Sequence, residues 1–161
     1  MDNKTFIESK KLGKIGETAI KDYFTKQGSK IIDVSENESF QKMDIDFIID
    51  DNFIEVKTQN TIPKENKIVL EIETAYNDSC YKQGWFKSTE SNILMFYDKD
   101  NKICYSIDTK ELREFYNKYK HTSVIEESFK PEKYKTCELA FINIKTLEEQ
   151  LKSLKKINLK S

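Results

Sequence analysis

The chain has 161 residues, of which 37% are hydrophobic and 34% are charged. This length suffices for one globular domain with its own core, and the composition excludes globally disordered and collagen-like chains. The net charge of −1 would by itself argue against a nucleic-acid partner. The charge is unevenly spread, however. Residues 31–60 hold eight acids and two bases, residues 4–30 hold seven lysines and three acids, and residues 145–161 hold five lysines and two acids. An acidic centre therefore lies between two basic flanks.

The sequence shows no targeting or membrane segment. Residues 1–6 contain no apolar stretch behind a basic start, as a secretory signal would. The longest apolar runs, such as residues 93–97, fall far short of the roughly 18 residues that span a bilayer. The three cysteines are odd in number and widely spaced, which favours reduced thiols. We therefore expect a cytoplasmic protein without membrane contact.

Hydrophobic periodicity predicts one α/β domain over residues 1–161, with a mixed central β-sheet flanked by helices. In chain order, the predicted elements are a helix over about 4–27, a strand over 30–34, strands over 46–49 and 53–57 joined by a tight turn at 50–52, a strand over 67–73, a hairpin of strands 93–97 and 103–107, a helix over 109–119, a polar loop over 121–135, a strand over 136–144, and a C-terminal helix from about residue 146.

The hairpin near residue 50 concentrates charge. Side chains two apart on a strand share a face, so Asp44 and Asp46 are expected to point together, as are Glu55 and Lys57. The turn is expected to place Lys57 opposite about residue 46 and Glu55 opposite about residue 48. Clustered carboxylates need compensation, and hard oxygen ligands favour Mg²⁺ or Mn²⁺. The alternative is a solvated strand face with an ordinary Asp–Lys pair.

Three segments together resemble the PD-(D/E)XK nuclease superfamily, whose fold is restriction-endonuclease-like. They are residues 13–17 (Gly-Lys-Ile-Gly-Glu), 44–47 (Asp-Ile-Asp-Phe) and 55–57 (Glu-Val-Lys). The pattern is most similar to Holliday-junction-resolvase-like members, and residues 68–73 and 83–88 are more weakly similar to phage and plasmid nuclease-like proteins. The superfamily's proline before the aspartate is absent.

The resemblance implies a role for each matched residue. Asp46 and Glu55 would be metal ligands, Lys57 the superfamily lysine, and Glu17 the helix-borne acid that holds a second metal or its water shell. Asp44 is an alternative to Asp46 as the central ligand, although the "x-Asp-hydrophobic" pattern favours Asp46. The implied cofactor is Mg²⁺ or Mn²⁺.

The implied activity is that of a metal-dependent endonuclease that hydrolyses phosphodiester bonds of DNA, with recognition of DNA structure and a homodimer as further expectations. Lys14, Gln59, Trp85 and Lys87 are predicted DNA contacts, and the alternative for Trp85 is a packing role beneath a loop. Two other functions stay open: a non-catalytic nucleic-acid- or protein-binding module on the same fold, such as a phage-encoded inhibitor, and an RNA-cleaving toxin domain.

Overall fold

The structure is a computed structural model that describes residues 3–160. Its elements, in chain order, are α1 (Asn3–Lys26), β1 (Ile31–Asp33), α2 (Glu38–Lys42), β2 (Phe47–Ile49), β3 (Asn52–Thr58), α3 (Thr61–Glu65), β4 (Lys67–Tyr76), β5 (Tyr81–Gln83), α4 (Trp85–Ser88), β6 (Ile93–Asp98), β7 (Ile103–Asp108), α5 (Thr109–Tyr119), β8 (Glu126–Pro131), β9 (Lys135–Asn143), α6 (Ile144–Gln150) and β10 (Lys155–Asn158).

The strands of this described part form two sheets. The central sheet has the order β1-β2-β3-β6-β7-β10, and a second sheet has the order β5-β4-β9-β8. In the central sheet β3 and β6 run parallel, whereas the other neighbours run antiparallel. The fold is therefore mixed α/β with a mixed central sheet flanked by helices, as the order of predicted elements indicated.

The two faces of the central sheet are covered by two apolar clusters. One face packs against α1 through a cluster that includes Ile20, Phe47, Ile54, Val56, Met95 and Tyr97. The other face packs against the second sheet, α5 and α6 through a larger cluster that includes Ile68, Leu70, Leu94, Phe96, Leu112, Phe115, Ile142 and Leu147. Both clusters are well buried, so the central sheet is a middle layer of the molecule.

Strand alternation decides which way the charged residues of β3 point. Ile54 and Val56 face α1, so Glu55 and Lys57 face the second sheet. The parallel register sets them beside two members of the larger cluster, Leu94 and Phe96 respectively. The fold thereby places a carboxyl and an ammonium group at the border of an apolar core.

Two sequence predictions need correction. The loop predicted over residues 121–135 contains β8, an edge strand whose mostly exposed, polar side chains lack apolar alternation. The C-terminal helix predicted from about residue 146 begins earlier and is short, because Asn143 caps α6 and the chain then forms β10 against β7. Ile157 of β10 packs against the cluster on the α1 face, which stabilises the strand.

Candidate functional site

A two-residue turn joins β2 to β3, shorter than the predicted turn over residues 50–52. Asp50 and Asp51 both have positive φ, 46° and 67°. Positive φ at both central positions is the geometry of a type I′ turn, which matches the twist of the paired strands. Asp50 Oδ1 also accepts a hydrogen bond of 2.9 Å from the Lys30 N–H. The turn is thus anchored both within the hairpin and to the chain just before β1.

The register that this turn sets differs from the expectation. Phe47 pairs with Ile54, Ile48 with Phe53 and Ile49 with Asn52. The prediction of Lys57 opposite about residue 46 is therefore wrong, because the turn is shorter than expected. Asp46 precedes the first residue of β2, yet its N–H still donates to the Ile54 carbonyl at 2.8 Å. The Asp46 backbone thereby lies across from Ile54, the residue before Glu55.

The carboxyls of Asp46 and Glu55 lie close enough to act on each other's pKa values. The Val56 N–H donates to Asp46 Oδ2 at 2.8 Å, which orients the carboxyl. Burial raises the pKa of Glu55 to about 8; Lys57 opposes this shift and Asp46 adds to it. Burial likewise raises the pKa of Asp46. Two adjacent carboxyls that bind protons more tightly than usual mark a place where additional positive charge is favourable.

Lys57 supplies part of that positive charge. Its ammonium pairs with Glu55 Oε1, and the two side chains are 24% and 6% exposed. Burial alone would lower the pKa of Lys57, but the carboxylates of Glu55, Asp46 and Asp44 outweigh burial and raise it. The ammonium also lies 4.7 Å from the centre of the Trp85 ring. Lys57 is therefore a charged group held between a carboxyl and an aromatic face.

Glu17 approaches the pair from α1 through a close contact between helix and strand. The preceding residue, Gly16, is buried, and a Cβ there would overlap Oγ1 of Thr58. Only glycine lets α1 lie so near β3. Burial, together with the charge of Asp46, raises the pKa of Glu17. Lys14 partly neutralises Glu17 through an ion pair of 3.6 Å.

Asp44 lies at the border of the cluster and not on a strand. Its φ of 53° breaks the extended backbone, so the expectation that it shares a strand face with Asp46 is wrong. The Ser88 hydroxyl donates to Asp44 Oδ2 and the Thr89 hydroxyl donates to the Asp44 carbonyl, each at 3.1 Å. Its charge nevertheless helps to raise the pKa values of Asp46, Glu55 and Lys57. Asp46 is the aspartate in direct contact with Glu55.

The four predicted nucleic-acid contacts occupy different environments. The Gln59 amide donates to the Val69 carbonyl at 2.7 Å and accepts from the Val69 N–H at 2.9 Å, so it joins the end of β3 to β4. Trp85 is half-buried with its ring facing Lys57, whereas Lys14 and Lys87 are exposed. The two lysines are accessible to a ligand, and Gln59 and Trp85 are largely engaged within the protein.

Cation binding can be judged from the donors themselves. As placed, no three His, Cys, Asp or Glu side chains among residues 3–160 form a ready-made metal-binding group. The donors nevertheless fit a hard divalent cation in kind, because Asp46, Glu55 and Glu17 are partly desolvated carboxyls with raised pKa values. A cation at this position would offset both the desolvation of these carboxylates and the repulsion between them.

Sequence reasoning missed three side chains around this region, Ser88, Thr89 and Arg113. The Arg113 guanidinium donates to the carbonyls of Phe86, Lys87 and Thr89, around the end of α4. The one signal in the sequence was compositional, since Arg113 is the single arginine in a chain with 27 basic residues. A planar fork of donors is what distinguishes arginine from lysine.

Comparisons with known proteins give a distant structural likeness. No protein-family model matches the chain, and no curated protein matches it either. Among solved structures, it is similar to the bacterial homing endonuclease I-Ssp6803I, at 15% identity and a TM-score of 0.48, over 63% of this chain and 70% of that one. Among residues 3–160, no helix is both long and apolar enough to cross a membrane.

Proposed function

We propose that this protein is a metal-dependent nuclease of the PD-(D/E)XK superfamily that hydrolyses phosphodiester bonds of DNA. The observation that carries the proposal is the contact between Asp46, Glu55 and Lys57 at the border of the core. Perturbed pKa values cluster at functional sites, and each of these three groups has a raised pKa. The same three residues carry the acid-acid-lysine pattern of the superfamily.

Asp46 and Glu55 are the residues that would hold Mg²⁺ or Mn²⁺, with Glu17 and Asp44 supporting them. A bound divalent ion supplies Lewis-acid polarisation of a phosphate and lowers the pKa of a bound water. Lys57 offsets the negative charge that develops on the phosphate and orients the attacking water. The Val56 N–H fixes the direction of the Asp46 carboxyl. Burial of the pair keeps bulk water away from these charges.

A groove beside Glu17 supports a phosphate-rich substrate. It has a volume of about 560 Å³ and runs between α1 and the segment that connects β1 to α2. Three lysines of α1 line the groove beside Glu17, and the connecting segment and α2 add a hydroxyl, a carboxylate and an amide: Lys10, Lys11, Lys14, Ser35, Glu36 and Gln41. Lysines bind backbone phosphates without reading base sequence. We assign this groove to the sugar-phosphate backbone of the substrate, close to the carboxyl cluster.

Cleavage of labelled branched, duplex and single-stranded DNA, and of RNA, with Mg²⁺ or Mn²⁺ tests the proposal. Wild-type protein should cut DNA, whereas Asp46→Asn and Lys57→Ala should lower activity by at least about 100-fold. The matched controls Asp51→Asn and Lys64→Ala change exposed residues of the same types and should retain activity. Equal cutting by Asp46→Asn and wild type would refute the assignment, and cleavage of RNA alone would indicate the toxin-like alternative. Sedimentation velocity tests the predicted homodimer.

A second candidate, a non-catalytic binding module, is favoured by one observation. Lys57 already neutralises Glu55 within the protein, so the cluster is partly compensated without any cation. Calorimetric titration with Mn²⁺ separates the two functions. The nuclease should show a specific site that Glu55→Gln weakens, while a binding module should show no site in either protein.

A further inference from the structure

We infer that α4, held in place by Arg113, is the element that positions the proposed site, with Trp85 and Arg113 as its positioning residues. This inference rests on the proposed function, because it concerns how Lys57 and Asp44 are held for that chemistry. Neither Trp85 nor Arg113 needs to touch the substrate. The four residues of α4 run from Trp85, which contacts Lys57, to Ser88, which contacts Asp44.

Trp85, the first residue of α4, fixes the position of the Lys57 ammonium. The ammonium lies 4.7 Å from the ring centre, within the range of a cation–π contact. The ring is itself packed, edge-on against Phe86 and tilted against Phe96, with centroid distances of 6.0 and 6.2 Å. An aromatic face attracts the ammonium without adding a further carboxylate, so Lys57 is held near Glu55 while its N–H donors are not consumed by a second acid.

The last residue of α4 and the residue after it hold Asp44. Ser88 donates to the Asp44 carboxylate, Thr89 donates to the Asp44 carbonyl, and the Glu90 N–H donates to the Met43 carbonyl at 2.9 Å. Asp44 has a left-handed backbone, which such hydrogen bonds stabilise. One short helix therefore contacts the lysine at its start and the outer aspartate at its end.

A four-residue helix is not stable by itself, so α4 must be fixed from outside. At its start, the Gly84 N–H donates to the Ile72 carbonyl at 2.9 Å, and a Cβ on Gly84 would overlap the Glu71 carbonyl. The chain therefore lies directly against β4, at a distance that only glycine permits.

Arg113 of α5 fixes the other end. Its guanidinium donates to the carbonyls of Phe86 at 3.0 Å, Lys87 at 3.3 Å and Thr89 at 2.6 Å, and its Nε reaches the Phe86 carbonyl at 3.2 Å. Carbonyls at a helix end lack partners within the helix. One planar side chain satisfies three of them, and lysine could not do so with the same geometry.

The conservative pair Trp85→Phe and Trp85→Leu tests the inference. Both keep an apolar side chain against Phe96, but only phenylalanine keeps a π face for Lys57. We expect Trp85→Leu to lower kcat about 10- to 100-fold with KM nearly unchanged, and Trp85→Phe to retain most of kcat. Arg113→Lys should also lower kcat more than it raises KM. Equal kcat values for the two Trp85 variants would overturn the inference.

A second measurement is independent of activity. In NMR spectra, the Lys57 side-chain protons of the wild type should carry an upfield ring-current shift from Trp85. Trp85→Leu should abolish that shift, and Arg113→Lys should reduce it. If wild-type protein cuts no substrate but the shift behaves in this way, the proposed function fails while the positioning by α4 stands. If the Lys57 signals do not respond to either variant, the positioning inference fails, whatever the activity.

Discussion

The two faces of β3 are stabilised in different ways. On the α1 face, Ile54 and Val56 lie in an apolar cluster, and the site receives one residue, Glu17, through the close approach at Gly16. On the opposite face, Glu55 and Lys57 lie beside apolar neighbours and depend on each other. Apolar packing thus sets the position of the strand, while the ion pair and the Trp85 ring hold the charged side chains of the other face.

Breaking the charge pair should have the largest effect. Lys57→Met leaves the Glu55 carboxylate buried without its partner, so the free energy of unfolding at pH 9 should fall by about 3 kcal/mol. The double variant Lys57→Met/Glu55→Leu should recover most of that stability. Urea unfolding of both, with exposed Lys64→Met as the control, measures the difference. A cost no greater than that of Lys64→Met would contradict the paired-charge account.

The pH dependence of stability should come from the same face. The pKa of Glu55 rises from 4.5 to about 8 on folding. The folded protein therefore binds more protons between those pH values, and its stability should fall as pH rises from about 4.5 to about 8. Glu55→Gln should flatten this profile by removing the contribution of this carboxyl. A residual slope from Asp46 and Glu17 should persist. An unchanged profile in thermal unfolding at pH 5 to 8.5 would count against the assigned shift.

A substitution on the α1 face should lower the free energy of unfolding by less, and no charged group should contribute to the loss. Gly16→Ala places a methyl group against the Thr58 hydroxyl, so we expect the free energy of unfolding to fall by about 1–2 kcal/mol, independent of pH. Thr58→Ala should restore much of it in the double variant, because the Thr58 hydroxyl finds no hydrogen-bond partner among the described residues. A double-mutant cycle measures the coupling. Simple additivity of the two changes would show that helix and strand do not touch there.

The smallest effects should arise in the lysine groove. Replacing Lys10, Lys11 and Lys14 by glutamine should reduce the slope of log Kd against log salt by about 0.7–0.9 for each phosphate that these lysines neutralise. The exposed lysines Lys110, Lys118 and Lys145 provide a matched triple control on α5 and α6. Binding should be measured with the Asp46→Asn protein to prevent cleavage. Equal slopes for both triple variants would remove the groove from the substrate path.

The sequence predicted best the elements whose pattern is local. The helix over 109–119 coincides with α5, because an apolar stripe is a short-range signal; in the structure the Asp108 carboxylate also caps this helix. β8 and β10 were missed because both are edge strands whose pairing depends on distant partners. The division into two sheets was likewise not predictable from alternation alone.

The features of the proposed site also fall into those with a local signal in the sequence and those that depend on distant residues. The residue types at 46, 55 and 57 are visible in the sequence, but their register depends on a turn one residue shorter than predicted. The hydrogen bond between Arg113 and Phe86 joins residues 27 positions apart and has no local signature. The residue types of the proposed site were therefore easier to identify than the side chains that hold them in place.

The length of the Asp50–Asp51 turn sets the register of the hairpin. Because side chains alternate along each strand, one inserted or deleted residue in this turn would move either Asp46 or the Glu55–Lys57 pair to the opposite face of the sheet. The length of this turn therefore affects the site. The turn between β6 and β7 joins strands that carry none of the proposed site residues, so its length is not constrained in this way. A loop of two residues at the surface thus limits how the hairpin can change.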